Sequence, residues 1–306
     1  MATPATTRTN ARAGAAPRPA HETLPLGLLL LAALALLLSA CATGTATGPR
    51  AGTLTEGSSR RSVTLGGTER GYRVYRPAGI AAAAPAVMVF HGYTGSAART
   101  EQEFGWNRVA DAERFVVVYP EGLNQGFNAG RCCGASSDTG VDDVAASLAM
   151  LDDVAARIPL DADRLYVTGF SNGGAMAYRL ACETDRFAAF GPVAGGLVVD
   201  CDDAAPASIL HIHGLADSVV PPGGDTAIWR TPVADVIAAW RGRADCSEPT
   251  ASEDERTRLS MASCAAGREV GLLTVEGLDH AWPTAGDGVD ATSTLWAFFR
   301  RHPRGH

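Results

Sequence analysis

Residues 165–183 constrain the fold of this chain more than any other stretch. Residues 165–168 are apolar or β-branched and predict a buried strand. A tight turn, Gly-Phe-Ser-Asn-Gly at 169–173, follows at once, and residues 172–183 have the composition of a helix. Glycine is needed at 169 and 173, because side chains there would collide with the neighbouring strand and helix. The segment therefore predicts a βα unit with Ser171 at its turn.

Strand and helix candidates alternate along the rest of the chain. The other strand candidates are 62–65, 72–75, 86–90, 115–119, 188–193, 208–212 and 270–275. The other helix candidates are 97–112, 141–157, 232–243 and 291–301. Most of the strand runs are almost entirely apolar, as are strands covered on both faces of a parallel sheet. We therefore expect an α/β fold with a mostly parallel, doubly wound sheet.

The first forty residues have the layout of a signal peptide. Three arginines precede an apolar run at 24–38, which is too short to span a bilayer and ends in small residues before Cys41. This ending resembles a lipobox, in which Cys41 becomes the lipid-bearing first residue. Ordinary secretory cleavage and an uncleaved anchor are the alternatives. We expect a lipoprotein signal peptide at 1–40, a flexible tether at 41–61 and one catalytic domain at 62–304.

Charge and cysteine content narrow the partners and the compartment. The net charge is −7, and an acidic surface argues against nucleic acid. Six cysteines besides Cys41 suggest up to three disulfides in an exported protein. Their pairing stays open, although Cys246 and Cys264 bracket a polar, hairpin-like stretch and are our one favoured pair. Cys132 and Cys133 are adjacent, a poor spacing for a metal ion, so we expect no metal and no cofactor.

A strand, Gly-x-Ser-x-Gly and a helix together make the nucleophile elbow of α/β-hydrolases. The sharp turn forces Ser171 into a strained backbone conformation, and the helix N-terminus places amide donors near developing negative charge. Ser171 is therefore our candidate nucleophile. A glycine-rich turn without a catalytic role is the alternative.

A serine nucleophile needs a base and an acid, which in this fold follow it in the order acid, then histidine. Asp217 lies on the loop after the strand at 208–212, and His280 follows the strand at 270–275. Both are placed at strand ends, as the chemistry requires. Asp225 is the alternative acid.

The remaining polar residues near these strand ends have other interpretations. His211 and His213 lie in or at the end of a strand and are expected to be buried structural imidazoles. His91 ends the strand at 86–90 and is expected to shape the loop that follows it. Asp279 is expected to be a solvated neighbour of the base.

An oxyanion hole in this fold uses two backbone N–H groups. We assign them to Asn172, directly after the nucleophile, and to Tyr93, in the loop after the strand at 86–90; an ordinary tight turn is the alternative. Phe170 and Trp282 flank the nucleophile and the base and are candidate substrate-binding walls. Plain packing is an equally good interpretation of Trp282.

With these residues in place, the chain resembles the esterase family of polyhydroxybutyrate depolymerases and feruloyl esterases, especially its bacterial lipoproteins. The resemblance covers residues 62–304. The matching segments are 72–77, 91–92, 119–122, 128–134, 141–144, the elbow at 169–173, 187–189, 192–195 and 280–283. It implies an α/β-hydrolase fold and hydrolysis of carboxylic esters through an acyl-enzyme, with Ser171, Asp217 and His280 as the triad.

The short segment after Gly195 limits the shape of the site. Only about a dozen residues separate it from the strand at 208, too few for a large lid domain. We expect an open site that takes short-chain, hydroxyalkanoate or feruloyl-type esters, in a monomer held at the membrane through Cys41 and facing outward, or secreted. One rival is an acyltransferase of the mycolyl-transferase type. The other is a noncatalytic surface-binding lipoprotein.

Overall fold

A ten-stranded sheet forms the centre of the computed structural model, which describes residues 52–80 and 83–304. The strands are β1 (Gly57–Leu65), β2 (Thr68–Arg76), β3 (Ala84–Phe90), β4 (Val116–Pro120), β5 (Leu160–Phe170), β6 (Ala189–Val193), β7 (Ser208–Gly214), β8 (Thr250–Glu253), β9 (Thr257–Ser263) and β10 (Glu269–Val275). Their order across the sheet is β1-β2-β4-β3-β5-β6-β7-β10-β9-β8. The six central strands, from β4 to β10 in that order, are parallel to one another. At one edge β2 pairs antiparallel with β4, and β1 pairs antiparallel with β2. At the other edge β9 pairs antiparallel with β10, and β8 pairs antiparallel with β9.

Helices cover both faces of this sheet. They are α1 (Ala97–Glu103), α2 (Trp106–Glu113), α3 (Gly134–Asp138), α4 (Asp143–Ala155), α5 (Asn172–Glu183), α6 (Val233–Arg243) and α7 (Ala291–Phe299). One apolar cluster packs α4, α5 and α6 on one face, with Met150, Met176 and Trp240 among its members. A second cluster packs α1, α2 and α7 on the other, with Trp106 and Phe299. The predicted doubly wound α/β architecture is confirmed.

One helix differs from the sequence expectation, and the hairpin-like stretch between Cys246 and Cys264 is a true hairpin. The helix predicted at 97–112 is two helices, because Gly105 between them adopts a left-handed conformation with φ 73°. The polar stretch between Cys246 and Cys264 forms β8 and β9, which extend the sheet beyond β10. The four residues of β8 are all exposed and lack an apolar pattern, whereas most of β9 is half-buried, with Leu259 and Met261 at alternate positions.

The N-terminal predictions lie mostly outside the described residues. The signal peptide at 1–40, Cys41 and the tether up to residue 51 belong to this part of the chain. Strand β1 begins at Gly57, so the tether ends before residue 61, contrary to the expectation. The strand pairs with β2 along its whole length, and only Val63 and Leu65 near its end pack against the apolar core, which is why the small polar residues before them resemble a linker. Among the described residues, no helix has the length and apolarity to cross a membrane.

The connection from β6 to β7 confirms the expected lack of a large lid domain. It consists of residues 194–207, and this described segment contains neither a helix nor a strand. The carboxyl ends of the central strands are therefore not covered by an inserted domain after β6.

Three disulfides join the six cysteines other than Cys41. The predicted bond between Cys246 and Cys264 is confirmed. A second bond joins Cys182 to Cys201, and the third joins the adjacent Cys132 and Cys133. Disulfides persist in oxidising compartments, so this set fits an extracellular protein.

Candidate active site

Ser171 lies in a sharp turn between β5 and α5. Its backbone has φ 56° and ψ −116°, a combination that L-residues rarely adopt. A Cβ on Gly169 would lie 2.4 Å from the carbonyl oxygen of Gly173, and a Cβ on Gly173 would lie 2.3 Å from that of Phe90. The collisions expected from the sequence are therefore present, and glycine is required at both positions.

Three side chains from separate strand ends form one hydrogen-bonded series. The Nε2 atom of His280 lies 2.9 Å from Oγ of Ser171, and its Nδ1 atom lies 2.8 Å from Oδ2 of Asp217. A carboxylate only accepts hydrogen bonds, so a neutral His280 carries its proton on Nδ1. Its Nε2 atom is then free to accept the hydroxyl proton of Ser171, which is the arrangement that general-base activation of a serine needs.

Asp217 is buried in the loop after β7 and is held there as a carboxylate. Its Oδ1 atom accepts hydrogen bonds from the backbone amides of Val219, at 3.0 Å, and Val220, at 2.7 Å. Burial raises the pKa of Asp217, but hydrogen bonds from His213, His280 and Val220 outweigh burial and hold this pKa well below its usual range. Asp217 is therefore ionised at neutral pH, and its Oδ2 atom carries part of that negative charge towards His280.

Asp225, the alternative acid, does not take part in this series. It is exposed in the same loop, and within residues 52–80 and 83–304 it makes no hydrogen bond to His280. Of the two candidate acids, only Asp217 contacts the imidazole.

The interpretation of Asp279 as merely a solvated neighbour of the base is wrong. The side chain is exposed, yet its Oδ1 atom accepts hydrogen bonds from the backbone amide and the hydroxyl of Ser218, both at 2.9 Å. The same atom accepts the backbone N–H of His280 at 2.8 Å. Asp279 therefore joins the loop of Asp217 to the loop of His280, a role that depends on loop conformations and has no sequence signal.

The two predicted oxyanion donors lie on segments that meet at Ser171. Asn172 is the first residue of α5, where a backbone N–H has no acceptor within the helix. A Cβ on Gly92, the residue before Tyr93, would lie 3.4 Å from the Cβ of Ser171. The loop that carries the Tyr93 amide therefore approaches the serine closely.

His91 fixes the conformation of this loop. Its Nδ1 atom lies 2.7 Å from the carbonyl oxygen of Gly92, and its Nε2 atom accepts the backbone N–H of Gly122 at 3.0 Å. The neutral imidazole must therefore carry its proton on Nδ1. Burial lowers the pKa of His91 to about 4, although the bond to Gly92 acts in the opposite direction. A neutral His91 thus joins the loop after β3 to the loop after β4.

The side chain of Asn172 anchors another loop to the elbow. Its Oδ1 atom accepts the backbone N–H of Phe127 at 2.8 Å, and its Nδ2 atom donates to the Phe127 carbonyl at 3.0 Å. The Phe127 ring packs against Phe90, with ring centroids 5.1 Å apart. The segment with the Cys132–Cys133 disulfide is therefore held directly beside α5.

Aromatic rings line one side of the serine and the histidine. The Phe170 ring lies 4.7 Å from the His280 ring, and Trp282 stacks on Phe104 with 4.3 Å between centroids. Trp282 also donates from Nε1 to Oγ1 of Thr292 at 3.1 Å, so its orientation is fixed by packing. Phe104 was not predicted from the sequence to belong to this aromatic group. The sequence predicted a single helix across 97–112, whereas Phe104 lies at the C-terminal end of α1.

A pocket of about 160 Å³ opens between this aromatic group and the loop after β3. Gly92 and Tyr93 line one side, and Phe104 and Phe170 line the other. Because Gly92 contacts the region of Ser171, the pocket adjoins the candidate nucleophile. Its apolar wall is suited to a short or planar acyl or alkoxy group.

His211 and His213 are buried in β7, as expected. Their rings stack with 5.1 Å between centroids, and the Nε2 atom of His213 lies 3.3 Å from Oδ2 of Asp217. Among the described residues, no group of three or more histidine, cysteine or acidic side chains is arranged to hold a metal ion.

Comparison with known sequences identifies relatives among esterases. A family model described as "Esterase PHB depolymerase" matches residues 70–221. "Putative esterase NocK" from Nocardia uniformis subsp. tsuyamanensis is 32% identical over 255 residues, which cover 73% of this chain and 73% of that protein. "Probable feruloyl esterase C" from Aspergillus terreus is 29% identical over 188 residues, covering 60% of this chain and 64% of that protein. The chain thus spans less than two-thirds of the second relative's length.

The solved structure of the acetyl xylan esterase from Aspergillus awamori has the same fold. Its TM-score is 0.57, at 16% sequence identity, and the match covers 79% of this chain and 99% of that one. At this identity the likeness concerns the fold alone. The family match and the 32% identity to the putative esterase NocK decide the classification. This chain belongs to the PHB depolymerase family of esterases, which are carboxylic ester hydrolases with an α/β-hydrolase fold.

Proposed function

We propose that this chain hydrolyses carboxylic esters through a triad of Ser171, His280 and Asp217 and an acyl-enzyme intermediate. The observation that carries the proposal is the continuous series of hydrogen bonds, 2.9 Å from Ser171 to His280 and 2.8 Å from His280 to Asp217. Its three members come from the ends of β5, β7 and β10 in the order that this fold requires.

In the acylation step, Oγ of Ser171 attacks the ester carbonyl while Nε2 of His280 accepts its proton. The Asp217 carboxylate stabilises the imidazolium that forms. The backbone N–H groups of Asn172 and Tyr93 donate to the oxyanion of the tetrahedral intermediate. His280 then gives its proton to the departing alkoxide, which leaves as the alcohol, and Ser171 remains acylated.

In the deacylation step, water attacks the acyl-enzyme and His280 accepts a proton from it. The tetrahedral intermediate collapses, the carboxylic acid leaves, and the proton returns to Oγ of Ser171. The same two N–H groups stabilise both oxyanions. Losing one such donor typically costs about 10²–10³-fold in turnover, so the fixed loop of Tyr93 matters although its side chain does not react.

We propose esters of short or aromatic acids, including hydroxyalkanoate and feruloyl-type esters, as the substrate class. The support is the pocket of about 160 Å³ that has Phe104 and Phe170 on one wall, together with the Phe104–Trp282 stack near His280. The lack of a lid domain after β6 leaves room for a bulky or polymeric alcohol portion. One relative carries the name "Probable feruloyl esterase C", and a feruloyl ester has an aromatic acyl group.

We also propose that the protein is exported as a monomer and held at the outer side of the cell membrane through a lipid on Cys41. The support is the signal-peptide pattern before Cys41 and the disulfides of the folded domain. Replacing Cys41 with alanine should release active enzyme from the membrane fraction into the medium.

Replacement of Ser171 by alanine tests the catalytic proposal. Ser171→Ala should abolish hydrolysis of p-nitrophenyl acetate while the far-ultraviolet circular dichroism spectrum stays unchanged. Ser62→Ala, on the exposed edge strand β1, is the matched control and should keep the parent rate. If Ser171→Ala hydrolysed the ester at the parent rate, Ser171 would not be the nucleophile. Product analysis with a sugar acceptor distinguishes hydrolysis from acyl transfer.

A further inference from the structure

Three buried polar side chains form a second hydrogen-bonded series behind Asp217. The hydroxyl of Tyr178, on α5, lies 2.7 Å from Nδ1 of His211, on β7. The Nε2 atom of His211 lies 2.8 Å from Nδ1 of His213. The Nε2 atom of His213 lies 2.8 Å from the carbonyl oxygen of Val220 and 3.3 Å from Oδ2 of Asp217. The series therefore ends on the loop that holds the proposed catalytic acid.

All three polar side chains are enclosed by the core. Tyr178 and His211 are 0% exposed and His213 is 1% exposed. Burial lowers the pKa of His211 well below its usual range, and the neighbouring His213 lowers it further. Buried polar groups of this kind cost free energy unless each one has a hydrogen-bond partner, and here each one does.

The chemistry of the last acceptor fixes the direction of the whole series. The Val220 carbonyl and the Asp217 carboxylate only accept hydrogen bonds, so Nε2 of His213 must carry a proton. In a neutral His213, Nδ1 is then unprotonated and accepts the Nε2–H of His211. The Nδ1 atom of His211 in turn accepts the hydroxyl proton of Tyr178. Every donor therefore points from Tyr178 towards Asp217.

We propose that Tyr178 and His211 act as positioning residues that hold His213 in its Nε2–H tautomer, and that this N–H fixes the Asp217 loop for catalysis. The inference rests on the proposed role of Asp217 as the triad acid. It goes beyond that role, because it gives a function to residues that touch neither the substrate nor His280.

The opposite tautomer of His213 shows why such control matters. With the proton on Nδ1, a lone pair on Nε2 would face two acceptors, the Val220 carbonyl and the Asp217 carboxylate. Val220 also donates its own N–H to Oδ1 of Asp217 at 2.7 Å. Displacing Val220 would therefore remove a hydrogen bond from Asp217. The Asp217 carboxylate would then point in a different direction relative to His280.

Paired substitutions separate positioning from general stability. Tyr178→Phe keeps the ring and removes only the hydroxyl, so kcat should fall about 2- to 10-fold at unchanged KM, the effect of one neutral hydrogen bond. Tyr166→Phe is the matched control, because the buried Tyr166 hydroxyl has no hydrogen-bond partner among the described residues. It should keep the parent kcat.

Substitutions of His213 test the donor directly. His213→Leu should lower kcat roughly 10- to 100-fold, the range expected for losing one hydrogen bond to a charged group. His213→Gln places an amide N–H near the position of Nε2 and should restore most of the lost kcat. Equal losses in both variants would contradict a donor role.

The closing experiment is ¹⁵N NMR of the histidine-labelled wild-type enzyme, with kcat and KM measured for Tyr178→Phe and Asp217→Asn. Both His211 and His213 should show a protonated Nε2 and an unprotonated Nδ1. A protonated Nδ1 on His213, or a parent kcat in Tyr178→Phe, would contradict the proposed positioning role of Tyr178 and His211. If Asp217→Asn itself kept the parent kcat, the proposed triad would fail, whatever the tautomers.

Discussion

The Oδ1 atom of Asp279 accepts hydrogen bonds from both the backbone amide and the hydroxyl of Ser218, each at 2.9 Å. These bonds and the one from the backbone N–H of His280 hold the pKa of Asp279 below its usual value; the Ser218 amide has the largest effect. One exposed carboxylate thus connects the loop of the proposed acid to the loop of the proposed base. Three hydrogen bonds to one side chain therefore hold together the two loops that carry Asp217 and His280.

Removal of the Asp279 carboxylate should impair catalysis more than folding. Asp279→Ala should lower kcat by roughly 10-fold, within the range expected for losing a hydrogen bond to a charged group. Asp279→Asn keeps an acceptor oxygen and should lose less. Asp225→Asn is the matched control, because Asp225 is an exposed carboxylate on the loop after β7 that also carries Ser218, and it should keep the parent kcat; an equal loss there would mean that negative charge near these loops, and not the Ser218 contact, is responsible.

His91 should make the stability of the protein depend on pH in a defined window. Burial lowers its pKa from 6.5 to about 4, so the unfolded chain binds the proton more tightly than the folded protein. The free energy of unfolding should therefore fall as the pH drops from 6.5 towards 4, by about 1.4 kcal/mol per pH unit from this group, and level off below. Above pH 6.5 His91 adds no pH dependence.

The comparison protein for this measurement is His91→Gln, which keeps an acceptor for the Gly122 amide but does not titrate. Urea unfolding at several pH values gives the difference in free energy between the two proteins. His211 and His302 are present in both and cancel. A difference that stays constant between pH 6.5 and 4 would show that His91 is not buried as a neutral imidazole.

The order of the site residues could be predicted because it follows from the topology of the sheet. Ser171, Asp217 and His280 each follow an apolar strand, and parallel strands bring their carboxyl ends to one edge. The Asp279–Ser218 contact could not be predicted, since it joins two loops far apart in the sequence whose shapes are set by tertiary packing. The same holds for Phe104, whose place beside Trp282 depends on the helix break at Gly105.

The arrangement of the buried histidines could be predicted in part. Residues two apart on a strand share one face, so the stacking of His211 on His213 follows from the strand assignment. The contact between Tyr178 and His211 does not follow from the sequence, because it depends on how α5 is rotated against β7 in the packed core. The sequence therefore supports burial of both imidazoles, and the structure is needed to connect them to Asp217.

Phe170 should affect aromatic esters more than acetate esters. Its ring lies 4.7 Å from His280 and lines the pocket beside the Tyr93 loop. Phe170→Leu keeps an apolar side chain but removes the flat surface, so KM for methyl ferulate should rise roughly 5-fold, the value of about one lost aromatic contact. KM for p-nitrophenyl acetate is the internal control. A parallel rise for both esters would show that Phe170 supports the site without contacting the acyl group.

The Cys246–Cys264 disulfide should stabilise the fold without affecting catalysis. The cysteines are 18 residues apart, and closing a loop of that length in the unfolded chain is worth about 3 kcal/mol. Replacing both by alanine should lower the free energy of unfolding by about that amount. Cys264 precedes β10 whereas His280 follows it, so kcat should not change. A large loss of kcat in a folded variant would place the hairpin near the site.

The central claim is that Ser171 is a nucleophile activated by His280. Its most direct test is labelling with a fluorophosphonate, followed by intact-protein mass spectrometry and peptide mapping. The wild-type enzyme should gain one adduct, located on Ser171, and His280→Ala should react far more slowly. An adduct on another residue, or equal labelling rates in the two proteins, would contradict the claim.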